Sequence, residues 1–167
     1  IWKKKINYKN NNKFGRLSII TSAFQNCYID SEKTNSLFLN LINSGEGDYS
    51  RYLFFYFAKK IREKDYETVR QISSTIDPIA NGLLILQSKH WVDGSDFNKF
   101  NKVFSCNNQK HLLSEFFYLI ANLYSSDEEY DLSNFYLNIS HYLNSSFYYN
   151  LTLLVENYFI TENYDAS

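Results

Sequence analysis

Three histidines, two cysteines and a short run of carboxylates are the residues of this chain whose types could carry chemistry. His90, His111 and His141 stand apart, and none has a second histidine at the HExxH spacing that would aim two imidazoles at one metal. A catalytic imidazole also needs a positioned nucleophile or an orienting acid, and neither adjoins them. They read as helix-surface or internally bonded side chains. Cys106 lies close to His111 and could be imagined as a thiol nucleophile, but the surrounding SCNNQK reads as a turn between helices. Cys27 and Cys106 are 79 positions apart, unlike a metal knuckle or a redox CxxC pair, so the expectation is two small buried hydrophobes, not a disulfide.

Other patterns are weaker. Asp127-Glu128-Glu129 could draw a cation, yet negative charge at a helix start is what the helix dipole favours. Asn138, Asn144 and Asn150 open N-x-S/T triplets, which an asparagine-rich chain produces by chance. There is no glycine-rich phosphate loop and no GxSxG elbow. The residues point to no cofactor, no metal and no enzymatic reaction.

Bulk properties narrow the classes further. The 167 residues suit one ordinary domain or a segment of a larger protein. The chain starts at Ile1 and contains no methionine, so it is read as a piece of a longer protein. Seventeen basic and 18 acidic residues leave a net charge of −1, with no global field to attract nucleic acid or anionic lipid. Lys3-Lys4-Lys5, beside the polar run Lys9 to Lys13, reads as a solvated end. No run of 18 apolar residues exists, so no membrane insertion is expected within this segment. Compartment stays open between the cytoplasm and a bacterial periplasm or envelope.

One proline and five glycines argue against a turn-rich β architecture, and apolar residues recur at helical spacing. The expected fold class is all-α, with helices near 14–28, 36–43, 49–63, 66–76, 79–92, 96–105, 112–125, 129–143, 147–160 and from 163 onward. Ser126 to Glu129 has the pattern of a capping box, and Pro78 suits the first turn of the fifth helix. Asn43 to Asp48 (NSGEGD) is a possible joint between a helical segment 1–48 and the remainder, 49–167. Phe116, Ile120 and Leu123 share one face of their helix, while Phe117, Ala121 and Tyr124 share the next. Two adjoining stripes imply a helix packed on two sides.

A longer period overlies the helical one. Tyr124, Tyr130, Asp131 and Ser133 recur 34 residues later as Tyr158, Tyr164, Asp165 and Ser167. Tyr66, Phe97, Tyr130 and Tyr164 extend the series at intervals of 31, 33 and 34. A period near 34 built from helix pairs marks tetratricopeptide repeats, and residues 49–167 resemble about three and a half of them, truncated at the C-terminus. The third repeat carries the resemblance best, with Phe117, Ile120, Ala121 and Tyr124 in helix A and Tyr130, Ser133 and Ser140 in helix B. The fourth supplies Leu151, Leu154, Val155 and Tyr158, the second Leu84, Ser88, Trp91 and Phe97, and the first Tyr56, Phe57 and Tyr66. The last third is similar to the interior of large tetratricopeptide proteins from AT-rich bacteria.

The resemblance implies an α-solenoid acting as a protein-interaction scaffold. Its concave groove would hold a protein or peptide segment, lined by Arg62, Lys89, Tyr118, Asn122, Thr152 and Glu156. Further repeats of the same chain would be additional neighbours. A purely structural interior segment is the alternative, and a helical thiol hydrolase using Cys106 is a remote third.

Overall fold

The computed structural model describes residues 11–43, 50–77, 79 and 81–161. Regular structure among them is helical throughout: α1 (Asn11–Tyr28), α2 (Lys33–Asn43), α3 (Ser50–Arg62), α4 (Tyr66–Ser74), α5 (Leu83–Asp93), α6 (Asn98–Val103), α7 (Gln109–Ser126), α8 (Tyr130–Leu143) and α9 (Leu151–Ile160), with a 3-10 turn at Tyr148–Asn150 leading into α9. The helical spacing of apolar residues therefore located the elements. The expected joint at 44–48, the proline start at Pro78 and the final helix from 163 lie outside the described residues. The fifth helix begins at Leu83, with Gly82 at its N-cap, later than the expected residue 79.

The capping box at Ser126 does not form. Ser126 ends α7 and its hydroxyl donates to the Leu123 carbonyl, while Glu129 caps α8 without a side-chain hydrogen bond. The reason is the turn itself. Glu128 adopts a left-handed backbone with φ 63°, which reverses the chain in three residues and leaves no room for an extended cap.

That turn recurs. The non-glycine residues with positive φ among the described residues are Asp30, Lys64, Ser95 and Glu128. Steps between them are 34, 31 and 33 positions. At each, the left-handed residue donates to the carbonyl three residues back: Asp30 to Cys27, Lys64 to Ile61, Ser95 to Val92 and Glu128 to Ser125, at 3.0–3.3 Å. The following amide donates five back: Ser31 to Asn26, Asp65 to Lys60, Asp96 to Trp91 and Glu129 to Tyr124, at 2.7–2.9 Å. This is one C-terminal capping motif used four times to satisfy the last carbonyls of a helix. It joins α1 to α2, α3 to α4, α5 to α6 and α7 to α8. Seven residues before each turn stand Ala23, Phe57, Ser88 and Ala121, every one with no exposed surface. The first hairpin thus repeats the geometry of the other three, although its sequence shows no alignable tyrosine.

Two cores hold the hairpins. The larger gathers around α3, whose residues Tyr52 to Lys59 are all buried, so this helix keeps no free face along that stretch. Phe55 meets Phe24 of α1, Phe104 after α6 and Phe147 before the 3-10 turn, at ring separations of 5.0, 4.6 and 5.8 Å. Phe38 of α2 joins through Phe24 at 5.6 Å. Burial of such rings at roughly 25 cal/mol per Å² makes this cluster the dominant stabilising element. A smaller core of Ala121, Leu137 and Leu153 lies between α7, α8 and α9.

One correction concerns the cysteines. Both are buried, as expected, but they form a disulfide with Cα atoms 5.6 Å apart. Sequence separation carried no information about this contact, because α1 folds back beside α7. Phe24 packs on Phe104 at 6.0 Å, which brings Cys27, one helical turn later, to Cys106.

Candidate functional site

Small and amide side chains set the approach of α7, α8 and α9. Ser114 and Ser140, both buried, exchange hydrogen bonds with each other's backbone at 2.8 Å across α7 and α8. The Asn150 amide donates to the Ser140 hydroxyl at 2.9 Å, and one heptad along, Asn157 donates to Ser133 at 2.8 Å. Asn157 also donates to Asn134 and accepts from Ser125, so its amide ties three helices. Ser133 and Ser140 are therefore small because helices pass there and because each hydroxyl is needed as a partner.

A second seam joins this part to α3. The Arg51 guanidinium grips Glu115 of α7 through two bonds of 2.9 and 2.7 Å and donates to Asn150 at 2.7 Å. Tyr118 lies beneath it, with the guanidinium carbon 3.8 Å from the ring centre. Burial disfavours the charged form, but the Glu115 carboxylate more than offsets it and raises the Arg51 pKa above its ordinary value. The pair is a structural bridge: Glu115 is buried, and Nε and Nη2 of Arg51 both donate to it.

The six residues expected to line a groove fall into two sets. Arg62 bonds Asp30 at 2.7 Å and also Asn107, clamping the first hairpin turn to α3. Lys89 reaches the Ser73 carbonyl and Asp93, and Tyr118 sits under Arg51. These three are engaged within the fold. Asn122 of α7 and Thr152 and Glu156 of α9 are exposed, although the Thr152 hydroxyl donates to Tyr149. The structure brings these last three to the surface of the smaller core.

Between α1 and α7 lies a groove of about 670 Å³. Phe24, Tyr28 and Ile29 form one wall; Leu112, Leu113, Phe116 and Leu119 form the other. Among the described residues that line it, the polar side chains are Thr21, Gln25 and Gln109, and none is charged. Gln109 donates to the Tyr28 hydroxyl at 2.6 Å, spanning the groove from wall to wall. Size and lining match sites that bury apolar side chains or small apolar molecules. Because α1 shows no repeat signature, its half of the groove was invisible; Ala23, 34 positions before Phe57, was the available signal.

Of the remaining chemistry-bearing residues, His90 is exposed and His141 Nδ1 is buried without a hydrogen-bond partner among the described residues, whereas the others named below have structural partners. Cys106 is bonded to Cys27 and carries no thiol to act as a nucleophile. His111 Nδ1 accepts the Ser105 backbone N–H at 3.0 Å, and burial holds its pKa below the usual imidazole range. Asn144 and Asn150 are buried with their amide nitrogens donating to Val103 and Ser140, which removes them as modification sites in the fold. Asn138 is exposed. Among the described residues no group of three or more His, Cys, Asp or Glu side chains is placed to hold a metal ion, and no helix is long and apolar enough to cross a membrane. Compared with protein-family models, curated proteins and solved structures, the chain matches none.

Proposed function

We propose that the chain is a tetratricopeptide-type helical-repeat scaffold that binds a protein or peptide segment and performs no catalysis. The observation that carries this reading is the fourfold turn: Asp30, Lys64, Ser95 and Glu128 cap successive hairpins with one hydrogen-bond scheme at 31 to 34 residues. Repeated hairpins build extended surfaces from neighbour contacts, and such surfaces recognise extended or helical segments. The stack is not a straight one in this reading, since the hairpins wrap around a fully buried α3. Of the expected groove, Asn122, Thr152 and Glu156 remain exposed and form the primary face. The apolar groove of α1 and α7 supports a second surface, suited to the apolar stripe of an amphipathic helix.

One experiment separates the surfaces. A photo-crosslinking side chain is placed at Glu156, at Leu113 or, as a control, at Asn138 of α8, in cells that make the chain. Protein adducts at Glu156 and none at Asn138 are the expected result. Adducts at Leu113 alone would move the binding surface to the apolar groove, and adducts at neither site would overturn the scaffold reading.

A further inference from the structure

We infer that this chain is made as a dithiol and oxidised by a disulfide-donating protein, and so acquires its fold in an oxidising compartment. The chain has two cysteines and both are in the Cys27–Cys106 bond, leaving no spare thiol. Both cysteines are buried, with Cys27 fully enclosed, and among the described residues no group of three or more His, Cys, Asp or Glu side chains is placed to hold a metal ion. Transient redox disulfides need an accessible sulfur for exchange; this one is placed as a permanent brace. Such braces persist in the secretory lumen, the periplasm or outside the cell, whereas cytosolic thiols are kept reduced.

Position in the fold says what the brace does. Among the described residues, α1 meets the larger core through Ile20, Ala23, Phe24 and Cys27 and lines the open groove with α7. The bond, together with Gln109 and Tyr28, fixes one end of both groove walls. Packing of Phe24 on Phe104 sets Cys27 beside Cys106 in the finished fold, so the bond locks a contact that the hydrophobic core also favours.

The reaction balances as an exchange. One cysteine thiolate attacks the donor's disulfide and forms a mixed disulfide, releasing one donor thiolate. The second cysteine then displaces the donor's other sulfur. The Cys27–Cys106 bond forms, the donor's disulfide is broken, and two electrons and two protons end on the donor as a dithiol. Because both sulfurs become enclosed, this step precedes final closure of α1 over the α6–α7 connection.

The test is made on the full chain in the cells that produce it. Cells are quenched in acid, free thiols are alkylated, and digested peptides are read by mass spectrometry before and after reduction. The expected result is one crosslinked species joining the Cys27 and Cys106 peptides, with neither cysteine alkylated. Recovery of both cysteines as alkylated thiols would overturn the inference, even if the purified protein later oxidises in air.

Discussion

The hairpin α3–α4 and the hairpin α7–α8 turn through the same backbone motif, yet they are packed by opposite means. At the position seven residues before the turn, the first has Phe57 and the second Ala121, both without exposed surface. Around Phe57 the space is filled by rings, including Phe100 at 6.3 Å. Around Ala121 the helices approach closely and their spacing is set by Ser114, Ser133, Ser140, Asn150 and Asn157. One backbone plan therefore accepts a bulky hydrophobic filling or a small, hydrogen-bonded one. What the repeat conserves is the turn and the burial, not the residue.

The largest effects come from reversing that choice. Phe57→Ala empties a packed aromatic site and should cost about 3–5 kcal/mol in chemical denaturation. Ala121→Phe forces a ring between touching helices and should cost at least about 1–3 kcal/mol. Tolerance of both would mean the two hairpins pack alike. Next is the bridge between regions. Glu115→Ala strands the Arg51 charge in a buried seam, with an expected loss of about 3–5 kcal/mol, whereas Glu115→Gln keeps an acceptor and should lose less. Equal losses would show that charge pairing does not hold the seam.

Asn157→Ala probes the polar filling alone. It leaves Ser125, Ser133 and Asn134 without their amide partner, and a loss of about 1–3 kcal/mol is expected. The smallest effect is on pH. Burial lowers the folded-state pKa of His111, so the unfolded chain binds the proton more readily in the mildly acid range. That stability is fully present above the usual imidazole pKa and is lost as pH falls through the folded value. Urea midpoints should drop from pH 7.5 to 5.5, and His111→Asn, which keeps an acceptor for the Ser105 amide, should flatten the drop.

Much of the helix pattern was legible because apolar spacing near 3.6 marks a packed helix whatever fills the core. Ser133 and Ser140 were also legible as repeat positions of helix B, though their amide partners were not. The four turns were hidden because the left-handed position holds Asp, Lys, Ser and Glu, none of them the glycine that usually announces it. Gly94 sits one residue before Ser95 and points to the turn without naming its centre. The first hairpin escaped for a second reason: Glu32, just before α2, stands where the later hairpins have Tyr66, Phe97 and Tyr130. Among the residues expected to line a groove, Asn122, Thr152 and Glu156 are exposed on their helices. The engagement of Arg62 and Tyr118 depends on Asp30 and Arg51, partners from distant segments that no local pattern connects. The same distance concealed the disulfide.

The contrast between a ring-filled, disulfide-braced N-terminal region and a serine- and asparagine-spaced C-terminal one is tested most directly by amide hydrogen exchange on the oxidised and reduced full chain. Protection should fall first and furthest in α1 after reduction, while α8 and α9 keep theirs through the Ser133–Asn157 and Ser140–Asn150 pairs. Uniform loss across α1, α8 and α9 would contradict the account, because it would mean that the two regions are not held by separate means.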